Sequence, residues 1–137
     1  PNDLMVRNRK VAGLLAEARL QGDRLQWMAI GLGINVSNAI PAELAGRAAS
    51  LNEFCSETTV EALAEPIARA LATVDLDTPR LGPEELSELR ARDWLLDRGI
   101  SSPLAGTGAG IDDQGRLVVR DEGGRLLRIA IGDVVQA

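Results

Sequence analysis

The sequence is 137 residues long, 45% hydrophobic and 26% charged, with a formal net charge of −5 and no histidine. This length predicts one domain, or one domain with a small appendage, that can bury a core. An acidic balance without any basic block argues against bulk binding of nucleic acid or anionic membranes. The lack of histidine excludes Ser-His-Asp and Cys-His catalysis and His-ligated zinc within this chain.

Cys55 is the single cysteine, so an internal disulfide cannot form. This usage fits a reducing compartment and predicts a cytoplasmic location, with the Cys55 thiol buried as a small hydrophobe. No apolar run approaches the roughly 18 residues that a membrane span needs, so we expect no membrane partner.

The opening residues predict a β-hairpin. "DLMV" and "KVAGLLAE" are apolar runs, and "RNR" between them can turn. Asp3 stands at the start of the first run and Lys10 at the start of the second. The pattern therefore predicts an acid and a lysine on neighbouring strands.

A third strand is predicted from Leu25 to Val36. Side chains alternate between the two faces of a strand. One face is a full core stripe, made of Met28, Ile30, Leu32, Ile34 and Val36. The other face narrows to Gly31 and Gly33 and ends in Asn35. Glycines inside a strand indicate close approach of a ligand or of another backbone, so a ligand site and a helix packed over the glycines both stay open.

Two helices and a small barrel are expected to follow. Thr58 or Thr59 can cap the first helix, an apolar stripe at helical spacing continues to Val74, and Pro66 should kink it. The second helix should begin at Pro83 and run to about Leu96. Beyond Asp97, short runs separated by the turn sequences "DDQG" and "DEGG" predict antiparallel strands.

Four motifs resemble those of biotin–protein ligases. "PNDLMVRNRKVAGLLAE" resembles the family's Trp-Pro-Asn-Asp segment and the Lys-Val/Ile-Ala-Gly-Ile/Leu-Leu strand after it. "IGLGINVSN" is similar to its Gly-x-Gly-Ile-Asn strand, and "ELAGRAASLNE" to the following loop. "GAGIDDQGRLVV" and "IGDVV" resemble its small C-terminal barrel. The motifs keep the family's order and cover essentially the whole chain.

The resemblance implies an α+β fold. Part of a mixed sheet with helices, as in class II aminoacyl-tRNA synthetases and biotin–lipoate ligases, would precede an SH3-like barrel. Residues 1–96 would form the C-terminal part of the catalytic core, and residues 97–137 the barrel.

The resemblance also implies a two-step reaction with ATP, Mg²⁺ and biotin as a substrate. Biotin is activated to biotinyl-AMP and is then transferred to a lysine of a carrier domain. Lys10 matches the family lysine that contacts biotin and the phosphate. Asp3 matches the aspartate that orients or deprotonates the acceptor lysine, and Asn2 is expected to support the ligand or the loop.

The same resemblance implies a function for the glycine-containing face of the third strand. Gly31 and Gly33 would let adenosine approach the backbone, Asn35 would read the adenine edge, and Gly13 would clear space on its own strand. No metal ligand is predicted among these residues.

The chain departs from the family in three places. The basic Gly-Arg-Gly loop that closes over biotin has no counterpart, no tryptophan precedes Pro1, and Ala109 replaces an arginine found in many relatives. We therefore expect the second half of a ligase, inactive without an N-terminal half, which would be its partner besides the carrier domain. A homodimer is left open, and no nucleic-acid partner is expected for this segment. The alternatives are a non-catalytic interaction module and a fragment similar to lipoate–protein ligases.

Overall fold

The computed structural model describes residues 2–22, 24–75, 78, 80–130 and 134–136. Its strands and helices divide into two compact units, Asn2–Val74 and Asp75–Ala137. Each unit contains an antiparallel sheet and one α-helix, so the predicted α+β class is confirmed. The predicted division into residues 1–96 and 97–137 concerns the domains of the ligase family and stays a prediction.

The first unit is built on a three-stranded antiparallel sheet in the order β1-β2-β3. The strands are β1 (Asp3–Val6), β2 (Arg9–Gln21) and β3 (Arg24–Ile34). Arg7 and Asn8 join the first two with φ values of 47° and 65°. Positive φ at both central residues is the geometry of a type I′ hairpin turn, which confirms the predicted hairpin.

The predicted core stripe of β3 is covered only toward its C-terminal end, where Leu32 and Ile34 are half-buried. Val36 is buried, but Met28 is 36% exposed and Ile30 is 37% exposed. The buried part of this unit lies instead at Val11, Ala12 and Ala49. Alternation fixes which side chains share a face, but it does not fix whether the same chain supplies a layer to cover that face.

The segment after β3 is irregular, as predicted, apart from two short 3₁₀ helices at Ala42–Leu44 and Leu51–Glu53. The helix α1 (Val60–Ala72) follows and contains Pro66. The Thr59 hydroxyl accepts a hydrogen bond of 3.2 Å from the Ala62 N–H, which confirms a threonine cap. Cys55 is exposed, so its predicted burial is wrong: it follows a 3₁₀ helix near the surface.

The second unit begins with the helix α2 (Pro83–Arg92). The Gly82 N–H donates to the Glu85 carboxylate at 2.7 Å. The helix ends at Arg92 and not near Leu96, because Asp93 leaves the helical region (φ −71°, ψ 105°). The Asp93 carboxylate then accepts from the Leu95 N–H at 2.9 Å, a turn that competes with the helix.

A five-stranded antiparallel sheet completes this unit in the order β7-β6-β5-β4-β8. Its strands are β4 (Gly99–Ser102), β5 (Gly106–Ile111), β6 (Leu117–Arg120), β7 (Leu126–Ile129) and β8 (Val135–Gln136). Ile100, Leu117 and Val119 form its buried core. The small sheet fits the expected SH3-like barrel, although Ile131–Asp133 of the "IGDVV" motif lie outside the described residues.

Both predicted hairpin turns of this sheet are present and share one construction. In the first turn, the Asp112 carboxylate accepts from the backbone N–H groups of Gln114 and Arg116. In the second turn, Asp121 accepts from the N–H of Arg125 at 2.8 Å. Each aspartate also pairs with the arginine four residues later. The sequence Asp-x-x-Gly-Arg therefore stabilises both turns through one side chain.

Candidate active site

Asp3 and Lys10 meet across the first hairpin. The Lys10 Nζ atom lies 2.7 Å from the Asp3 Oδ1 atom, and the two side chains are 46% and 45% exposed. Exposed ion pairs contribute little to stability, about 0–1 kcal/mol. The exposure of this pair leaves both charged groups accessible to a ligand.

A β-bulge in β2 places Lys10 on the face of Asp3. Asp3 pairs with Gly13, but the register shifts between Leu4 and Met5, so that Met5 faces Lys10. In a regular ladder Lys10 and Gly13, three positions apart, would point to opposite faces. The extra residue at the bulge reverses this and re-aims the lysine, which brings the acid and the lysine together.

Gly13 provides the space in which the pair forms. A Cβ atom at this position would lie 3.1 Å from the Lys10 Cε and Nζ atoms and 3.4 Å from Asp3 Oδ1. Such contacts are tighter than ordinary side-chain packing, so a larger residue would push the lysine aside. The glycine thus has a steric role at the ion pair.

Gly33 continues the same face onto β3. Asp3 pairs with Gly13, and Gly13 pairs with Gly33, so the three residues form one row across the sheet. No described atom lies within 4 Å of a Cβ built on Gly33, and the nearest to one on Gly31 is the Leu15 carbonyl oxygen at 3.7 Å. In the described residues no helix is packed on these glycines, so the floor is open.

Asn35 lies just after β3 with its backbone held on both sides. Its N–H donates to the Val11 carbonyl at 2.9 Å, and its carbonyl accepts from the Leu51 N–H at 2.7 Å. Its side-chain Oδ1 accepts from the Asn38 amide at 3.2 Å. The backbone hydrogen bonds fix the position of the Asn35 Cα atom, and the Asn35 side-chain oxygen already accepts a hydrogen bond from Asn38.

One open groove of about 820 Å³ collects these residues. Every site residue expected from the sequence lines it: Asn2, Asp3, Lys10, Gly13, Gly31, Gly33 and Asn35. Asn38 and Ala48 also line it and were missed. Asn38 had a local signal, since it follows the Gly-x-Gly-Ile-Asn strand closely, whereas Ala48 is brought in by a long-range bridge to Lys10.

The groove combines one cation, one carboxylate and amide groups above a bare backbone floor. Such a floor accepts a flat group, the amides can hydrogen-bond to it, and the ammonium can bind an anion. Of the lining residues only Asp3 is acidic, and it is already paired. Among the described residues no group of three or more His, Cys, Asp or Glu side chains could hold a metal ion.

A second charged pair involves Arg9, the residue directly before Lys10. The Glu53 Oε2 atom is 2.7 Å from Arg9 Nη1, and Glu53 Oε1 accepts from the Ser50 N–H at 3.0 Å. The Ser50 N–H and then Arg9 lower the pKa of the Glu53 carboxyl from its ordinary value of 4.5. Glu53 is therefore a carboxylate at neutral pH.

None of the described helices is long and apolar enough to span a membrane.

No family model matches the chain. It is 31% identical over 142 residues to the biotin--[acetyl-CoA-carboxylase] ligase of Mycobacterium tuberculosis, across 98% of this chain and 51% of that protein. It is 30% identical over 143 residues to the enzyme of the same name from Paracoccus denitrificans, across 91% of this chain and 57% of that protein.

Solved structures show the same fold. Biotin protein ligase from Aquifex aeolicus in complex with biotin and ATP has a TM-score of 0.71 and 24% identity. The match covers 100% of this chain and 60% of that one. The apo structure of that ligase gives a TM-score of 0.72 at 23% identity. The chain spans about half the length of the curated relatives it matches, and over that length it is similar to proteins named biotin--[acetyl-CoA-carboxylase] ligase.

Proposed function

We propose that this chain forms the ATP-side and acceptor-side part of a biotin–protein ligase. The observation that carries the proposal is the groove in which an aspartate–lysine pair, a glycine floor and an amide converge. The relation to proteins named biotin--[acetyl-CoA-carboxylase] ligase supports the same assignment. A solved relative described as a complex with biotin and ATP supports these two molecules as substrates.

In the first step a carboxylate oxygen of biotin attacks the α-phosphorus of ATP. The bond to the β-phosphate breaks, pyrophosphate leaves, and biotinyl-AMP forms. Two anions must approach each other, so an aimed cation lowers the barrier by offsetting their repulsion and the charge that develops. Lys10 is the cation of the groove and takes this role.

In the second step the neutral ε-amine of a carrier lysine attacks the carbonyl carbon of biotinyl-AMP. An amide bond forms, AMP leaves, and the amine loses a proton. Asp3 orients the incoming amine and accepts that proton. In the resting groove Asp3 is paired with Lys10, so we infer an exchange: Lys10 turns to the bound anions and releases Asp3 for the acceptor.

Adenosine would lie on the floor formed by Gly31 and Gly33, with Asn35 at its edge. Asn2 is exposed beside Asp3, and its backbone carbonyl accepts from the Leu14 N–H at 2.7 Å, which holds the Asn2 backbone against β2. Mg²⁺ stays a prediction. The single carboxylate of the groove does not make a metal site, and we assign no step to the ion.

The carrier domain and the rest of the ligase fold are the proposed partners. Four apolar side chains share one face of β2 and β3 and are exposed: Leu20 at 64%, Leu25 at 40%, Met28 at 36% and Ile30 at 37%. Contiguous apolar exposure of this kind marks an interaction surface. Since the chain spans about half of its relatives, the part of a ligase outside this sequence is the occupant we propose. A homodimer and a cytoplasmic location also stay predictions.

The test is calorimetry with a non-hydrolysable biotinyl-AMP analogue, on this chain alone and mixed with the remaining part of a related ligase. Binding by either sample, lost in Lys10→Ala, is the expected result. No binding by either sample contradicts the proposal. A streptavidin blot with ATP, Mg²⁺, biotin and a carrier domain then tests activity. This chain alone should not label the carrier, and labelling above a control without protein would overturn its status as an incomplete half.

A further inference from the structure

Lys10 is held through its backbone by a segment distant in the sequence. Its N–H donates to the Arg47 carbonyl at 2.8 Å, and its carbonyl accepts from the Ala49 N–H at 3.0 Å. On that edge of β2 the partner is therefore Ala48, while β3 pairs with β2 only from Ala12 onward. The place of the lysine depends on where residues 47–49 lie.

One carboxylate ties that segment to the hairpin. Glu53 Oε1 accepts from the N–H of Ser50, the residue directly after the segment, at 3.0 Å. Glu53 Oε2 lies 2.7 Å from the guanidinium of Arg9, the residue directly before Lys10. The hairpin, through Arg9, and the segment 47–49, through Ser50, are therefore both bonded to the Glu53 side chain.

Phe54 adds a second contact between the same two pieces of chain. The guanidinium of Arg9 lies 5.3 Å from the centre of its ring, and that of Arg7 lies 5.5 Å from it. These are cation–π distances. They hold the hairpin tip on the residue next to Glu53, so the bridge made by the carboxylate is reinforced by the ring.

We propose that Glu53 is a positioning residue for the Lys10 ammonium. It acts through Arg9 and through Ser50, and it fixes where Lys10 stands relative to Asp3 and the groove floor. The meaning of this position for catalysis rests on the proposed function. The positioning itself is a property of the chain and is measured without any substrate.

Lys10 is the only lysine among the 137 residues, so its NMR signals do not overlap with those of any other lysine. Labelling with ¹³C-lysine restricts the Hε–Cε region of the NMR spectrum of the full chain to the methylene of this one residue. The ion pair with Asp3 and the confined space above Gly13 hold the methylene in one asymmetric setting. In the wild type we expect two separate Hε resonances.

Glu53→Gln keeps the size of the side chain and an oxygen for Ser50, but it removes the charge that holds Arg9. We expect the two Hε resonances of Lys10 to merge in this variant. Glu57→Gln makes the same chemical change four residues later, at an exposed position, and should leave the wild-type separation. Arg9→Gln removes the other partner of the ion pair and should merge the resonances as Glu53→Gln does.

Unchanged Lys10 resonances in folded Glu53→Gln or in folded Arg9→Gln would overturn the proposal. A merely structural role for Glu53 would lower the melting temperature and leave the Lys10 signal of the folded protein as it is. Titration of the wild type with the biotinyl-AMP analogue tests the proposed function separately. Failure of the Lys10 signal to move in that titration counts against the ligand groove, while the ligand-free comparison still decides the role of Glu53.

Discussion

Asp3 and Lys10 contact each other at 2.7 Å although regular strand geometry would place them on opposite faces of the sheet. The β-bulge in β2 places Lys10 on the same face of the sheet as Asp3. Gly13 has no side chain and leaves space for the Lys10 ammonium to reach Asp3. Each group neutralises the other in the resting groove. A ligand anion therefore competes with Asp3 for the lysine, and the two proposed steps become coupled through one contact.

Lys10→Ala should affect chemistry far more than stability. The pair is half exposed, so its loss should change the free energy of unfolding by less than about 1 kcal/mol. Loss of an aimed electrostatic group typically slows the reaction on the order of 10²–10³-fold. Pyrophosphate release from ATP and biotin, measured with the chain combined with the rest of a ligase, checks this. A rate within a few-fold of the wild type would remove Lys10 from the adenylation step.

Two glycine substitutions separate the ion pair from the groove floor. Gly13→Ala puts a methyl group 3.1 Å from the Lys10 Cε and Nζ atoms, so the Lys10 NMR signal should shift without ligand. Gly33→Ala meets no described atom within 4 Å and should leave that signal in place. If adenosine lies on the floor, Gly33→Ala should instead weaken the biotinyl-AMP analogue in calorimetry. Equal affinities for wild type and Gly33→Ala would place the adenosine elsewhere.

The Asp112 turn gives a prediction for stability against pH. Hydrogen bonds from the Arg116 side chain, and then from backbone N–H groups, lower the pKa of the Asp112 carboxyl from its ordinary value of 3.8. A lowered pKa in the folded state means that the stabilisation is complete above 3.8 and is lost as the pH falls through the lowered value. Asp112→Asn should therefore destabilise the second unit at neutral pH, and the difference should shrink in acid.

The matched control for this turn is Asp121→Asn. Within the described residues the Asp121 carboxylate accepts one backbone hydrogen bond, from Arg125, and pairs with the Arg125 side chain at 3.4 Å. The Asp112 carboxylate accepts two backbone hydrogen bonds and pairs with Arg116 at 2.7 Å. Urea unfolding followed by the NMR signals of β5 and β6 measures both variants between neutral and acid pH. A difference for Asp112→Asn that grows in acid would contradict the sign argued above.

The sequence predicted local features of the fold well, because neighbouring residues determine them. The "RNR" turn, the threonine cap and the two Asp-x-x-Gly-Arg hairpins are set within a few residues. The end of α2 was misplaced because the Asp93 carboxylate makes a turn that the apolar spacing of Leu95 and Leu96 does not reveal.

The candidate site was predicted from motifs, and its geometry was not. No pattern in the sequence predicts the β-bulge that places Lys10 on the same face of the sheet as Asp3. The bridge from Lys10 to Ala48 and the ion pair from Arg9 to Glu53 join residues about forty positions apart. Such contacts depend on the path of the irregular segment after β3, which periodicity does not encode.

Asn35→Ala distinguishes a ligand contact from a structural one. The backbone groups of Asn35 keep their partners in this variant, and the side chain loses only its described hydrogen bond with Asn38. We therefore expect little change in the melting temperature. Loss of one hydrogen bond to a neutral adenine edge is worth roughly 0.5–1.5 kcal/mol, a few-fold to about tenfold in affinity. ATP titrations should weaken by that factor, while biotin is affected less.

Asn38→Ala is the companion variant, because it removes the donor that occupies the Asn35 oxygen at 3.2 Å and leaves Asn35 in place. If Asn38 orients the Asn35 amide toward the base, this variant should weaken ATP by less than Asn35→Ala does, and the double variant should equal Asn35→Ala alone. That non-additivity is the expected sign of two residues acting through one contact. Thermal melts of the same proteins provide the check: a loss of about 1–3 kcal/mol in Asn35→Ala, the cost of an unsatisfied buried partner, with ATP and biotin weakened together, would assign Asn35 to the scaffold.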